Sequence, residues 1–302
     1  MVTSIIQAIQ YNDSEGRLLT YDVRSRQSSS LGLEKARIRF RFSHHRFCVG
    51  RYILTSELEF VLQPCPSISK QSRGKQCEAC ANVDESKYLH AAHLGGKVPH
   101  RVAEYMAQPH WLYVAVFADG DVKVGTAAQS RKTRRLAEQG AVCADFVGVV
   151  ADGYLVRELE DQVSSSTRVS QGFSSVRKAQ AWVNPRPLIE LESICASTAE
   201  RVRASSALIW GQSISEKWRA RSNALINPRP GQYRLPFGGI EPDFIYDWEV
   251  LSVQGPTALI HTHFASGAGD YVVDLSALIG REIDTDLEDS AEGGGTGPAM
   301  LF

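Results

Sequence analysis

The chain has 302 residues, of which 43% are hydrophobic and 22% are charged, which is enough apolar sequence for the cores of two or three globular modules. Its formal net charge of -1 argues against a uniformly basic nucleic-acid binder. Five acidic residues and no Lys or Arg lie in 284–302, so residues 1–283 carry a net charge of +4, which permits a phosphate ligand.

The beginning of the sequence lacks both a basic segment and a sustained apolar segment of the kind found in signal peptides. No run of residues approaches the roughly 18 apolar residues that a membrane span needs. We therefore expect a cytoplasmic protein with no membrane partner. In that reducing compartment six cysteines are not expected to form a disulfide framework, which favours metal binding or redox chemistry for the close pair Cys77 and Cys80.

Residues 1–60 have the pattern of β-strands, most clearly in 35–42, where basic and apolar residues alternate. Because side chains alternate between the two faces of a strand, three arginines share one face. They are Arg37, Arg39 and Arg41, with Ile38, Phe40 and Phe42 on the other face. Two interpretations are open: a solvated face opposite a buried one, or a stripe that contacts the phosphates of a nucleic acid.

Four cysteines lie in or just before a Pro- and Gly-rich stretch that spans 61–110. They are Cys48, Cys65, Cys77 and Cys80. Only the last pair has the spacing of a zinc knuckle, but zinc takes four tetrahedral ligands and the other two cysteines each lie beside a turn-forming residue. We predict a structural zinc site, whose binding energy of about 10 kcal/mol would fold a segment that has little core. His90 and His93 are alternative ligands, and unliganded cysteines or a redox pair are alternative interpretations. Cys143 and Cys195 are predicted to be core residues.

From Trp111 the sequence predicts a hairpin, with two apolar strands around the turn at 119–121. A basic helix over 130–139 follows, which Gly140 would end with a positive φ, then an apolar strand over 142–150 and a helix from about residue 152. The predicted order of elements is therefore β-β-α-β-α.

The sequence predicts an α+β protein with five segments. They are a β-rich region with the four-cysteine site over 1–108, the β-β-α-β-α domain over 109–194, a helical segment and linker over 195–240, a small β module over 241–283, and a disordered acidic and glycine-rich tail over 284–302. Within the third segment the helix is expected around 195–222.

The hairpin and the helix that follows it resemble the core of the GIY-YIG nuclease superfamily, in its K-[IV]-G version. Tyr113 falls on the last residue of the first tripeptide, Gly125 on the glycine of the second, and Lys123 where most members have a tyrosine. Glu160 lies where these nucleases carry a metal-binding glutamate. The combination of CxGR, PCP, QCxxC, KVG and EQGA is also similar to a bacterial family of zinc-cysteine proteins of unknown function, over about 45–165, which implies no established activity.

The resemblance implies an endonuclease that depends on Mg²⁺ or Mn²⁺ and hydrolyses DNA or RNA. Its catalytic residues would be Tyr113, Lys123, Arg131, Arg135 and Glu160, with Arg134 as a further nucleic-acid contact. Tyr113 would act as base or position the water, the arginines would bind the phosphate, and Glu160 would bind the metal. Tyr113 as a packing residue and Glu160 as a salt-bridge partner of Arg157 are the structural alternatives. Lys123 favours a second interpretation of function, a noncatalytic zinc-containing protein that binds nucleic acid or regulates.

Overall fold

The computed structural model describes residues 3–12, 15–92, 95–205, 212–229, 231–264 and 267–285. It is a mixed α+β structure, which confirms the predicted fold class. The chain divides into two compact units. Unit 1 consists of Met1–Arg51, Leu62–Val83 and Ser222–Phe302, and unit 2 of Tyr52–Val61 and Asp84–Arg221. None of the described helices combines the length and the apolar character needed to cross a membrane.

The strands are, in chain order, β1 (Thr3–Asn12), β2 (Glu15–Asp22), β3 (Gln27–Gly32), β4 (Arg37–Arg46), β5 (Arg51–Leu54), β6 (Phe60–Gln63), β7 (His110–Val116), β8 (Val122–Ala128), β9 (Cys143–Val150), β10 (Gln212–Arg219), β11 (Arg234–Pro236), β12 (Ile245–Gln254), β13 (Thr257–Phe264), β14 (Gly267–Asp274) and β15 (Arg281–Asp284). The helices are α1 (Glu78–Val83), α2 (Tyr88–Ala91), α3 (His100–Met106), α4 (Lys132–Gln139), α5 (Gly153–Thr167), α6 (Ser175–Ala181) and α7 (Leu188–Arg203). Short 3₁₀ turns cover Glu85–Lys87, Gln129–Arg131 and Leu275–Leu278.

Unit 1 is built on a nine-stranded sheet in the order β11-β14-β13-β12-β4-β15-β1-β2-β3. All neighbours are antiparallel except β11 and β14. The sequence predicts a separate β module over 241–283, but in the structure β12 pairs with β4, and β15 lies between β4 and β1. The strands at the two ends of the chain therefore form one sheet.

Aromatic side chains explain why β4 and β12 pair. Phe40 and Phe42 are buried on the apolar face of β4, as the alternation predicts. On β12, Tyr246 lies opposite Phe40 with the rings stacked 5.4 Å apart, and the Trp248 ring packs edge-on against Phe40 at 4.8 Å. Such cross-strand aromatic pairs stabilise a sheet beyond their buried area.

Unit 2 contains a four-stranded antiparallel sheet in the order β10-β9-β7-β8. The predicted β-β-α-β-α order is observed over β7, β8, α4, β9 and α5, and Gly140 ends α4 with φ +76°. One face of the sheet packs on α5 and α7 through an aliphatic core that includes Leu112, Val124 and Leu159. The opposite face, which carries Tyr113, packs on Leu136 of α4.

Two predicted elements beyond residue 190 differ from the structure. The helix expected around 195–222 is α7, which ends at Arg203, and 212–219 form the strand β10. β10 is an edge strand whose side chains are mostly exposed, so its polar sequence lacks the apolar alternation of a buried strand. In the predicted tail, Asp284 ends β15, and 286–302 lie outside the described residues.

Candidate metal centre and candidate active site

The four predicted cysteines converge in unit 1. The Sγ atoms of Cys48, Cys65, Cys77 and Cys80 all lie within 4.8 Å of one another, and those of Cys65 and Cys77 are 3.9 Å apart. Four sulfurs at about 2.3 Å from a tetrahedral zinc ion are about 3.8 Å from each other. The cluster could therefore hold a zinc ion with little rearrangement.

Two turns bring the sulfurs together. After β4, the backbone N–H groups of Gly50 and Cys77 donate hydrogen bonds to the Cys48 Sγ, at 3.4 and 3.2 Å. Gly50 has φ +100°, and a Cβ there would lie 1.9 Å from the carbonyl oxygen of Gln63. Only glycine fits this close approach, because any side chain would push the turn away from the strand that leads to Cys65.

The pKa values of the four thiols move in opposite directions when no ion is bound. Burial raises the pKa of Cys48 and of Cys80. Burial also opposes ionisation of Cys65, but hydrogen bonds from the Ser69 and Ser67 backbone and from neighbouring thiols lower its pKa to about 6. A hydrogen bond from the Cys80 backbone lowers the pKa of Cys77. Four thiolates this close repel one another, so a bound cation is needed to ionise them all.

His93 and the side chain of His90, which are the alternative zinc ligands, lie outside the described residues. Cys143 and Cys195 are buried in unit 2, as predicted, and do not belong to the cluster.

The hairpin of β7 and β8 holds the second candidate site. Tyr113 lies opposite Gly125, and its ring crosses the glycine so closely that a Cβ on Gly125 would lie 2.6 Å from the phenol oxygen. The Tyr113 side chain is completely buried, and its hydroxyl has no hydrogen-bond partner in the described part of the chain. Because an unpaired buried hydroxyl costs about 1–3 kcal/mol, this atom marks a place where a ligand or water would be stabilised.

Lys123 lies two residues before Gly125 and on the same face of β8. It is 7% exposed, and its ammonium group forms no hydrogen bond or ion pair with the described residues. Burial, followed by the charges of Arg135 and Lys178, lowers the pKa of Lys123 to about 7, against the opposing charge of Glu160. The pKa of Tyr113 is raised by burial, with the Arg135 charge opposing, so its hydroxyl keeps its proton near neutral pH.

The predicted arginines divide into two groups. Arg131 and Arg134 both donate to Glu138, at 2.5 and 3.1 Å. Arg135 lies 4.0 Å from the same carboxylate, and its charge acts on Tyr113 and Lys123. The resemblance implies that Arg131 and Arg135 both bind the phosphate, but Arg131 lies before α4 in a 3₁₀ turn and is held by Glu138. Arg135 is therefore the arginine most available to a ligand of Tyr113.

Glu160 is 5% exposed on α5, and its Oε2 accepts a hydrogen bond from Arg157 Nη1 at 2.8 Å. This is the salt bridge that the sequence offers as the structural alternative. The charge of this carboxylate acts to raise the pKa of both Tyr113 and Lys123. Among the described residues, the cysteine cluster is the only group of three or more His, Cys, Asp or Glu side chains that could hold a metal.

One family model covers the residues of both candidate sites. A model of the family described as "Protein of unknown function (DUF2797)" matches residues 36–208, more than half of the chain. The chain belongs to the DUF2797 family. The DUF2797 match includes the four cysteines, the hairpin and Glu160, which agrees with the sequence-level similarity to a family of unknown function. No solved structure gives a significant match to the chain.

Two residues of this DUF2797 protein join the hairpin site without a sequence signal. Lys178 of α6 donates to the backbone oxygen of Gln139, at 3.0 Å, and burial, followed by the Arg135 charge, lowers its pKa to about 8. Tyr105 of α3 has a pKa raised by burial, while the charges of Arg131, Arg135 and Arg157 act to lower it. Neither residue lies in a motif, and each reaches the site through the packing of a separate helix.

The arginine stripe of β4 is largely paired with acidic side chains. Arg37 donates two hydrogen bonds to Asp247, at 3.0 and 2.7 Å, and Arg41 donates one to Asp284 at 3.2 Å. Arg39 lies opposite Asp247 in the register. These carboxylates reduce the positive charge of the face, and the predicted contact with nucleic acid stays a prediction.

Proposed function

We propose that unit 2 hydrolyses phosphodiester bonds as an endonuclease that acts on DNA or RNA with the help of Mg²⁺ or Mn²⁺. The observation that carries the proposal is a buried tyrosine hydroxyl that has no hydrogen-bond partner among the described residues, on the same hairpin as a buried lysine, with the charges of Arg135 and Glu160 acting on both. The GIY-YIG resemblance names the same residues from the motif alone.

Charge balance supports an anionic substrate. The site gathers cationic side chains from three elements, namely Lys123 of β8, Arg135 of α4 and Lys178 of α6, and the carboxylate of Glu160 is already paired with Arg157. Burial disfavours the charged forms of Lys123 and Lys178 and lowers their pKa values, while Arg135 is partly exposed and lies 4.0 Å from Glu138. A bound phosphate would pair with these cations, and its developing negative charge would be stabilised where water is largely excluded.

The hydroxyl of Tyr113 suits the task of holding the attacking water. Its raised pKa argues against a phenolate base at neutral pH, so of the two roles that the resemblance implies, water positioning is the one we propose. In the reaction, the oxygen of this water forms a bond to phosphorus while the bond from phosphorus to the leaving oxygen breaks. The water loses a proton to solvent and the leaving oxygen takes one up.

The residues at this site fit a divalent cation only together with substrate. Among the described residues, Glu160 is the carboxylate whose charge acts on both Tyr113 and Lys123, so the other ligands would be water and phosphate oxygens, which is a common arrangement for Mg²⁺. Such an ion would supply additional neutralisation of the phosphate charge. Binding of Mg²⁺ without nucleic acid is expected to be weak, because the surrounding side chains are cationic.

The cysteine cluster is proposed to hold a structural zinc ion. Four thiolate ligands leave no open position for a water, which is the arrangement of structural rather than catalytic zinc sites. The zinc ion would stabilise unit 1, and the proposed hydrolysis belongs to unit 2.

Neighbouring arginines of α4 allow a matched test. We expect the wild-type protein to cleave at least one of a panel of single-stranded, duplex, branched and RNA substrates when Mg²⁺ or Mn²⁺ is present. Arg135→Gln should reduce the rate by about a hundredfold, the order expected when one charge-stabilising donor is lost. Arg134→Gln, which loses a side chain paired with Glu138, should reduce it far less. Equal cleavage rates for both variants and the wild type would contradict the assignment of cleavage to the hairpin site.

One observation favours the alternative, a noncatalytic protein that binds nucleic acid or regulates. Lys123 replaces the tyrosine of most GIY-YIG members, and Glu160 is engaged by Arg157, so the cationic site could bind a phosphate without cleaving it. Binding that weakens steeply with salt, combined with no cleavage of any substrate under either metal, would support this alternative.

A further inference from the structure

We propose that the loop between Cys65 and Cys77, here called the knuckle loop (residues 66–76), binds the phosphate backbone of a nucleic acid together with the adjacent end of β4. The inference rests on the proposed function for the substrate class, and it places a substrate-binding surface in unit 1. It concerns binding only, so it can be tested separately from cleavage.

Positive charge is concentrated in the two segments that carry the first three cysteines. Residues 44–51 and 62–77 contain no Asp or Glu, in a chain whose 33 basic and 34 acidic residues nearly balance overall. Their basic side chains are Arg46, Arg51, Lys70, Arg73 and Lys75, together with His44 and His45. A local excess of this kind is the electrostatic footprint of a surface that binds a polyanion.

The basic side chains of the knuckle loop are exposed and have no carboxylate partners in the described part of the chain. Lys70, Arg73 and Lys75 are all exposed, and the Lys70 ammonium approaches only the His45 ring, with Nζ 3.3 Å from Nε2. The arginines of the β4 stripe differ in this respect, since Arg37 is held by Asp247. A cation that pairs with a phosphate releases the ions condensed on the nucleic acid. A side chain without a carboxylate partner does so without first breaking a salt bridge.

Backbone hydrogen bonds fix the knuckle loop against the end of β4. Ser69 O accepts from Cys48 N at 2.8 Å, Lys75 O accepts from Val49 N at 2.9 Å, and Gln71 N donates to Arg46 O at 2.8 Å. The loop is therefore tied at both ends and at its middle. Cations on a fixed backbone lose less conformational entropy on binding than cations on a flexible tail.

The basic side chains of the knuckle loop are not the hydrogen-bond donors to the cysteine sulfurs. The hydrogen bonds to Cys48 Sγ come from the backbone of Gly50 and Cys77, and those that lower the pKa of Cys65 come from the backbone of Ser67 and Ser69, where burial is the opposing effect. A competing account is that the cations offset the negative charge of four thiolates around zinc. The zinc content of the variants below separates the two accounts.

The test compares two triple variants of the full chain that remove the same charge. One is Lys70→Gln/Arg73→Gln/Lys75→Gln in the knuckle loop, and the matched control is Arg37→Gln/Arg39→Gln/Arg41→Gln in the β4 stripe. The probes are fluorescein-labelled duplex DNA and single-stranded RNA, with binding measured by anisotropy over a salt series without divalent metal. We expect the loop variant to bind at least about tenfold more weakly, with a salt slope lower by roughly two to three, since each lost phosphate contact removes about 0.9 from the slope for a duplex. The stripe variant should change much less.

Each other outcome counts against the inference. Wild-type affinity in the loop variant, or equal losses in both variants, would show that the loop is not a specific contact. Loss of zinc from the loop variant would assign the cations to the cysteine cluster. Displacement of the probes by poly-glutamate at concentrations as low as those of unlabelled nucleic acid would favour an acidic protein instead. If the loop contact holds and no substrate is cleaved, only the proposed hydrolysis fails; if cleavage occurs and the loop variant behaves as wild type, only this inference fails.

Discussion

The cysteine cluster of unit 1 and the hairpin site of unit 2 differ in the sign of the charge that a ligand would balance. In the cluster, the sulfur atoms of four thiols lie within 4.8 Å of one another, and among the described residues no cationic side chain donates a hydrogen bond to them. In the hairpin site, burial and the charges of Arg135 and Lys178 lower the pKa of Lys123, and the Glu160 carboxylate is already paired with Arg157. We therefore infer the class of ligand from the sign of the charge that each site leaves uncompensated. The proposed ligand is a metal cation in unit 1 and an anion in unit 2.

Removing one sulfur ligand should have the largest effect. Cys80→Ser leaves three thiolates, so we expect zinc to be lost together with most of about 10 kcal/mol of binding energy, and unit 1 to become sensitive to proteolysis. Cys195→Ala is the matched control, because it removes a buried thiol outside the cluster. Metal analysis and limited proteolysis measure the effect. One zinc per chain in the Cys80→Ser protein would break the account of unit 1.

The close packing of Tyr113 on Gly125 predicts the next effect. Gly125→Ala places a methyl group 2.6 Å from the Tyr113 ring and hydroxyl, and we expect the free energy of unfolding to fall by about 3 kcal/mol. Gly172→Ala is the control, since a Cβ there meets nothing within 4 Å. Denaturant unfolding of both variants gives the comparison. Equal stabilities would mean that Tyr113 does not occupy the space above Gly125.

The buried Lys123 predicts that the free energy of unfolding depends on pH. Its pKa is about 7 in the folded protein and near 10.4 in the unfolded chain, so from pH 10 down to 7 the unfolded state takes up a proton that the folded state does not, and stability falls. Lys123→Met should therefore raise the free energy of unfolding at pH 7 by about 2 kcal/mol and flatten its rise toward pH 9.

The same substitution sharpens the assignment of an anion to unit 2. Because Lys123 is charged only below about pH 7, the wild-type protein should bind a phosphodiester more tightly at pH 6 than at pH 8, and Lys123→Met should lose much of this difference. Denaturant unfolding and anisotropy at several pH values measure both effects. A variant that is less stable than wild type at pH 7 would indicate that Lys123 has a partner.

The smallest effect is expected for a single hydroxyl. Tyr113→Phe removes a buried donor that has no partner, so we expect stability to rise by up to about 1 kcal/mol while any cleavage is lost. Tyr246→Phe in unit 1 should do the opposite to stability, since that hydroxyl accepts a hydrogen bond from Glu241 N at 2.7 Å. A loss of stability in Tyr113→Phe as large as in Tyr246→Phe would argue that the Tyr113 hydroxyl is satisfied.

The sequence predicts the local features of both regions well. Spacing and flanking turn residues were enough to predict that Cys48, Cys65, Cys77 and Cys80 come together. The hairpin, the order of elements in 111–167 and the buried face of β4 follow from periods of two and 3.6 residues and from turn chemistry. These features depend on neighbours in the chain.

Long-range features were not predictable in the same way. The pairing of β4 with β12 joins segments about 200 residues apart through aromatic contacts, and no local pattern contains that pairing. At the hairpin site, the sequence could not show that Glu138 holds Arg131 while Arg135 is left near Tyr113, or that Lys178 arrives from α6. Arginine, lysine and glutamate have many structural roles, so their function depends on partners that only the fold provides.

The most direct test of the account is the cleavage rate of Glu160→Gln measured together with its zinc content. The account assigns hydrolysis to the hairpin site and the cysteines to structure, so this isosteric variant should retain about one zinc per chain and lose metal-dependent cleavage of the substrate that the wild type cuts. A folded, zinc-loaded Glu160→Gln protein that cleaves at the wild-type rate would contradict it.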